Sequence, residues 1–86
     1  MILIDSTYVV SKGGVNILKV FLNSIKLKDR KKFIVFLDER TQLDKSFLVN
    51  FHCIKFIKGN LIVRQFYYLK IKNKIKVIVN FSNIPL

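Results

Sequence analysis

The chain has 86 residues, is 51% hydrophobic with a mean hydropathy of +0.33, and sets 16 Lys and Arg against 5 Asp and Glu, a net charge of +11. That length allows one small domain or part of a larger one, and the apolar content excludes a disordered polycation. A lone Cys excludes a disulfide framework and a Cys-based zinc site and points to a reducing, cytosolic location; the longest apolar run, Phe33 to Leu37, is too short to span a bilayer.

Residues 1–10 lack the basic start and small-residue cleavage site of a signal peptide. Met1 to Asp5 is a compact hydrophobic run closed by an acid and reads as a buried strand. Ser6 to Gly14 reads as a polar turn with two adjacent glycines. From Val15 the period changes: Val15, Leu18, Leu22 and Ile25 recur at helical spacing, with Asn16, Lys19, Asn23 and Lys26 opposite, predicting a helix to about Lys28. Phe33 to Leu37 reads as a second strand, ended by Asp38-Glu39-Arg40. A short helix fits within residues 41–50, with Thr41 or Asp44 as its N-cap. His52 to Ile57 reads as a third strand. After Gly59-Asn60, Leu61 to Lys72 carries Ile62, Phe66 and Leu69 as a helical stripe, widened by Val63, Tyr67 and Tyr68, although a strand is the alternative there. Asn73-Lys74 leads into a fourth strand, Ile75 to Phe81.

The order is β-α-β-(α)-β-α-β. Continuous apolar strands alternating with helices predict an α/β fold, a partial Rossmann-like parallel sheet covered on both faces, with right-handed crossovers. An antiparallel α+β arrangement is the alternative. No helical segment follows the fourth strand to cover the sheet beside it, so residues 1–86 read as the first half of a larger doubly wound domain without a complete second domain.

The segment Asp5 to Asn16 is the most informative for chemistry. A strand, a loop and then Gly13-Gly14 opening a helix place unpaired backbone donors at the carboxyl end of strand one, where open α/β sheets bind ligands. The competing reading is a tight turn in which glycine supplies positive φ. The G-x-G-x-x-G fingerprint and the Gly-Lys-Ser/Thr phosphate loop are both absent, so Asp38 and Glu39 have no dinucleotide fingerprint to support them as ribose ligands. His52, at the start of strand three, reads as a partly solvated structural residue, and Cys53 as a small buried hydrophobe. Asp5, Asp38 and Glu39 fall at strand carboxyl ends and read as solvated terminators. No nucleophile–base pair and no metal set emerges from the spacing.

The cations invite a nucleic-acid reading, but 13 of the 16 are Lys, and the chain has 12 Ile, 7 Asn and no Ala, a bias spread over the whole sequence. Arg, the bidentate reader of phosphates and bases, occurs only at Arg30, Arg40 and Arg64. In a parallel stack, Lys26, Lys28, Arg30, Lys31 and Lys32 fall on the same edge as Lys70, Lys72, Lys74 and Lys76, away from the ligand rim. They read either as helix C-terminal partners of free carbonyls or as a basic rim for anionic lipid head groups.

Ile4-Asp5-Ser6-Thr7-Tyr8, Gly13-Gly14 opening an amphipathic helix, Phe36-Leu37-Asp38-Glu39-Arg40 and Phe81-Ser82-Asn83-Ile84-Pro85 resemble, in order, the N-terminal region of bacterial family-4-like glycosyltransferases of GT-B architecture. The resemblance implies two Rossmann-like domains around a cleft, the first holding the acceptor and the second the nucleotide-sugar donor and most catalytic carboxylates. It implies Gly13 and Gly14 as donor-diphosphate contacts and Asn83 as a further substrate-binding residue. Where the family often has Gly before that Asn and two prolines after Ile, this chain has Ser82, one Pro and Leu86. No catalytic residue, cofactor or metal is assigned. The expected function is a part of an enzyme that moves a sugar from a nucleotide-sugar donor to a cell-surface glycan or lipid-linked acceptor, inactive alone, in the cytoplasm or at the inner face of the membrane. The alternative is a small basic module that binds nucleic acid or an anionic membrane surface.

Overall fold

The computed structural model describes residues 1–57 and 60–82. Four strands alternate with helices: β1 Ile2–Ser6, α1 Lys12–Ser24, β2 Phe33–Asp38, α2 Lys45–Leu48, β3 His52–Phe56, α3 Leu61–Ile71 and β4 Val77–Asn80, with 3-10 turns at Leu27–Lys32 and Lys72–Lys74. All strand pairs are parallel, in the order β3-β2-β1-β4. This is the Rossmann-like order 3-2-1-4, in which the winding direction reverses between β1 and β4. The α/β parallel reading therefore holds, and the antiparallel alternative fails.

Side-chain alternation along the strands divides the core in two. Ile4, Val35 and Leu37 pack with Leu18 and Leu22 of α1, flanked by Phe33, Phe47, Phe51 and Phe81. On the other face Leu3, Ile34, Phe36 and Phe56 pack with Tyr68 and Ile71 of α3. Rings meet edge-to-face across these layers, Phe36 with Phe56 at 5.0 Å and Phe21 with Phe81 at 5.2 Å between centroids. β1 lies at the centre, and Leu3 through Thr7 are buried without interruption.

Several expectations are corrected. α1 begins three residues earlier than its apolar period, because Ser11, in extended backbone, caps it by accepting from the Gly14 amide at 3.2 Å. The turn expected over Ser6 to Gly14 thus gives way to helix from Lys12, and the glycines open the helix, as expected, from inside its first turn. Neither takes a left-handed φ; the positive φ before α1 belongs to Tyr8, at 67°. α1 also stops at Ser24, and Arg30 explains the arrest. Arg30 is buried, donating from Nε to the Ile25 carbonyl at 3.0 Å and from Nη2 to that of Leu22 at 3.3 Å, with its guanidinium 4.8 Å from the Phe51 ring centroid. It belongs to the helix end and not to the basic rim. The eight lysines of that set are all exposed.

The fourth strand stands uncovered, as expected, while one strand face and one helix face differ from the sequence reading. β4 is an edge strand open on both faces, with Val77 52% and Ile78 40% exposed. Cys53 is exposed, because it and Lys55 sit on the face of edge strand β3 opposite the one that Ile54 and Phe56 give to the core. Lastly, the α3 stripe of Ile62, Phe66 and Leu69 faces outward, at 71%, 69% and 51% exposure. The face of α3 turned to the sheet carries Arg64, Tyr68 and Ile71.

Candidate functional site

The carboxyl rim of the sheet brings together the β1 end, the start of α1 and the β2 end. At β1, Asp5 is fully buried. Its Oδ1 accepts from the Thr7 amide at 3.2 Å and the Thr7 hydroxyl at 2.8 Å, and its Oδ2 accepts from Arg64 Nε at 2.9 Å and from Arg64 Nη2. Arg64 Nη2 also reaches Ser82 Oγ at 3.3 Å, and Asn80 Oδ1 receives the Ser82 amide at 2.8 Å and its hydroxyl at 2.6 Å. The crevice between β1 and β4, where an open sheet of this order binds ligands, is therefore occupied at its base by the chain's own ion pair. Asp5 is not the solvated strand terminator that its position suggested. Among the described residues, every fully buried side-chain nitrogen or oxygen has a hydrogen-bond partner.

At β2, Asp38 is likewise fully buried, and Arg40 closes on it bidentately, Nε to Oδ1 at 2.9 Å and Nη2 to Oδ2 at 2.7 Å. The Arg40 side-chain hydrogen bonds hold the Asp38 carboxyl below its ordinary range against the opposing cost of burial, and backbone amides of Arg40 and Tyr8 add to this. The guanidinium also lies 5.4 Å from the Tyr8 ring centroid. Both carboxylates are thus engaged by arginine, while Glu39 is exposed.

The start of α1 stands at the same rim, on the sheet face opposite α3. Ser11 takes the Gly14 amide through its side chain and the Val15 amide through its carbonyl, at 2.9 Å. The amides of Lys12 and Gly13 have no intrahelical acceptor. A methyl group on Gly14 would come 3.0 Å from Ser11 Oγ and 3.2 Å from Val9 Cγ1, whereas one on Gly13 would meet nothing within 4 Å. A side chain at Gly14 would therefore require Ser11 or Val9 to shift. Gly13 leaves open space over the first turn. Along the α1 face that carries Lys12, Val15, Asn16 and Lys19, a cavity of about 330 Å³ is closed on its other side by Val10, Arg40 and Gln42. Lys12 and Lys19 are its two cations not paired with an acid, Arg40 being bound to Asp38. Chemically the ammonium groups of Lys12 and Lys19 suit this cavity to an anion, with the Asp38-bound guanidinium of Arg40 on its other side.

Of the expected substrate-binding residues, Gly13 and Gly14 stand at this rim, and Asn83 lies outside the described residues. His52 pairs in register with Ile34 near the amino end of β2, far along the sheet from the rim. Sequence reasoning missed Lys12, Lys19 and Arg40 as lining residues. The available signals were a lysine directly before the glycines and an arginine two residues beyond a strand-end acid. Among the described residues no three His, Cys, Asp or Glu side chains converge as metal ligands. Comparison of the chain with protein-family models, with curated proteins and with solved structures gives no match.

Proposed function

We propose that the chain is the first half of the acceptor-side, Rossmann-like domain of a nucleotide-sugar-dependent glycosyltransferase, presenting the start of α1 to the donor's diphosphate. The observation that carries this reading is the cationic cavity along the first turns of α1, the helix that Gly13 opens without a side chain, at the carboxyl end of β1 in a 3-2-1-4 sheet. The resemblance in motif order supports the same assignment. Asp5 and Asp38 at this rim are both bound to arginines, and the half-domain assignment implies no sugar transfer by the chain alone. The glycan or lipid-linked acceptor and the remaining catalytic groups belong to the rest of such an enzyme.

The test is a titration of the isotopically labelled chain with UDP, the probe for a nucleoside diphosphate. Amide shifts are expected to concentrate at Lys12, Gly13, Gly14 and Lys19. Gly13→Ala, which adds a methyl into free space and removes a flexible residue from a helix, should hold or raise stability by up to about 1 kcal/mol. The same variant should weaken UDP binding by about tenfold, as a phosphate can no longer approach the turn. Shifts spread evenly over the surface lysines, or a Gly13→Ala variant that binds UDP unchanged, would overturn the reading. Sugar turnover by the 86-residue chain would overturn the half-domain assignment.

A second reading, a basic binding module, is favoured by the exposed lysines on the amino edge, where Lys31, Lys32 and Lys76 line one cavity with Met1 and Ile2. Nucleic acid fits that edge poorly. None of the described residues lining that cavity is aromatic, so it offers no ring to stack on bases beside its cations.

A further inference from the structure

We infer that the outer face of α3 is a docking surface for an anionic lipid bilayer. Ile62, Phe66 and Leu69 recur at i, i+4 and i+7, so they form one stripe along the helix, opposite the face that gives Tyr68 and Ile71 to the core. A helix that is apolar on both faces ordinarily has something covering each of them. Two shallow hollows of about 560 and 330 Å³ run along this stripe, and among the described residues those lining them belong to α3. With Ile62, Phe66 and Leu69 all exposed, the stripe is an open apolar surface.

Charge identifies the occupant. Lys70 shares the larger hollow with Phe66, Tyr67 and Leu69, its Nζ 5.9 Å from the Tyr67 ring centroid. Lys72 and Lys74 follow on the adjoining 3-10 turn, and all three lysines are exposed. From Lys45 to Leu86 the sequence has eight cations and no Asp or Glu. An apolar stripe edged by lysines, with an aromatic ring at its border and no acid in the whole half-chain, matches a helix lying in the plane of an anionic interface. The long lysine stems extend their ammonium groups to head-group phosphates while the stripe enters the acyl boundary. A second copy is a poorer occupant, because two chains of +11 repel each other. No helix among the described residues is long and apolar enough to cross a membrane, so the contact is interfacial. The inference stands apart from the nucleotide-binding proposal.

The test is co-flotation of the 86-residue chain with vesicles of phosphatidylcholine alone and with vesicles that also contain phosphatidylglycerol. Binding is expected only to the second, weakening as salt is raised. Two triple variants separate the contributions: Ile62→Ser with Phe66→Ser and Leu69→Ser, and Lys70→Gln with Lys72→Gln and Lys74→Gln. Each should lower partitioning about tenfold or more with an unchanged circular dichroism spectrum, since all six side chains are exposed. Should a variant misfold, vesicle-dependent protection of α3 amides in the unaltered chain from hydrogen exchange gives the answer. Equal binding to both vesicle types, binding unaffected by the apolar triple variant, or no binding together with a dimer that this variant abolishes would each overturn the inference.

Discussion

The two long helices are built from similar material and used in opposite ways. In α1 the regular apolar stripe faces the sheet, so that Leu18 and Leu22 are fully buried. In α3 the regular stripe faces outward, and the sheet instead receives Arg64, Tyr68 and Ile71. Both helices are capped by a side chain, Ser11 for α1 and Asn60 for α3, which accepts from the Ile62 and Val63 amides at 3.1 and 3.2 Å. Capping therefore does not explain the difference. Orientation is set by which side of each helix has a partner waiting in the sheet. For α3 that partner is Asp5, whose buried carboxylate fixes Arg64 inward and turns the apolar stripe away. The lesson is that a buried charge needs its counter-charge more strongly than an apolar stripe needs cover.

This contrast is directly testable. Arg64→Met should cost about 3–5 kcal/mol, because it leaves Asp5 buried with only Thr7 as a hydrogen-bond partner. Chemical denaturation measures the loss, and a cost below about 1 kcal/mol would show that the ion pair does not orient α3. Matched truncations on the two stripes come next. Leu22→Ala on α1 should cost about 2–5 kcal/mol, while Phe66→Ala on α3 should stay within about 0.5 kcal/mol. Comparable losses from both would mean that the α3 stripe is buried in solution.

The gentlest probe is the other arginine pair. Asp38 titrates below its unfolded value, so its contribution to stability is present above about pH 4 and disappears as the pH falls through its folded pKa. Arg40→Ala should lower stability at neutral pH, and the gap between variant and parent should close in acid. The Asp38 carboxyl resonance should titrate at higher pH in the variant. A gap independent of pH would remove the pair from the account of the β2 terminus.

The strand runs were legible because they are short, continuous and bounded by acids or turn residues. His52 to Phe56 and Phe33 to Asp38 fall within a residue of their expected limits. The Gly13-Gly14 pair was legible as a rim feature, since any parallel βα unit carries the start of its helix to the strand's carboxyl end. Its exact setting was not. The turn signal of the glycines masked Ser11, the residue that starts the helix. Arg64 and Asp5 lie 59 positions apart, and nothing local to either announces the other. The uncovered fourth strand, by contrast, was expected, and Val77 and Ile78 are indeed exposed.

By itself, then, the amino-acid sequence determined the alternation of strands and helices, the inward stripe of α1 and the excess of lysine. These are properties of neighbouring residues, fixed by side-chain period and backbone preference over a few turns. Only the tertiary structure decided the strand order, the face that α3 turns to the sheet, the burial of Arg30 and Arg64, and the grouping of Lys12, Lys19 and Arg40 around one cavity. Those depend on which distant groups meet, and the cost of burying a charge alone settles that only once the whole chain has closed around it.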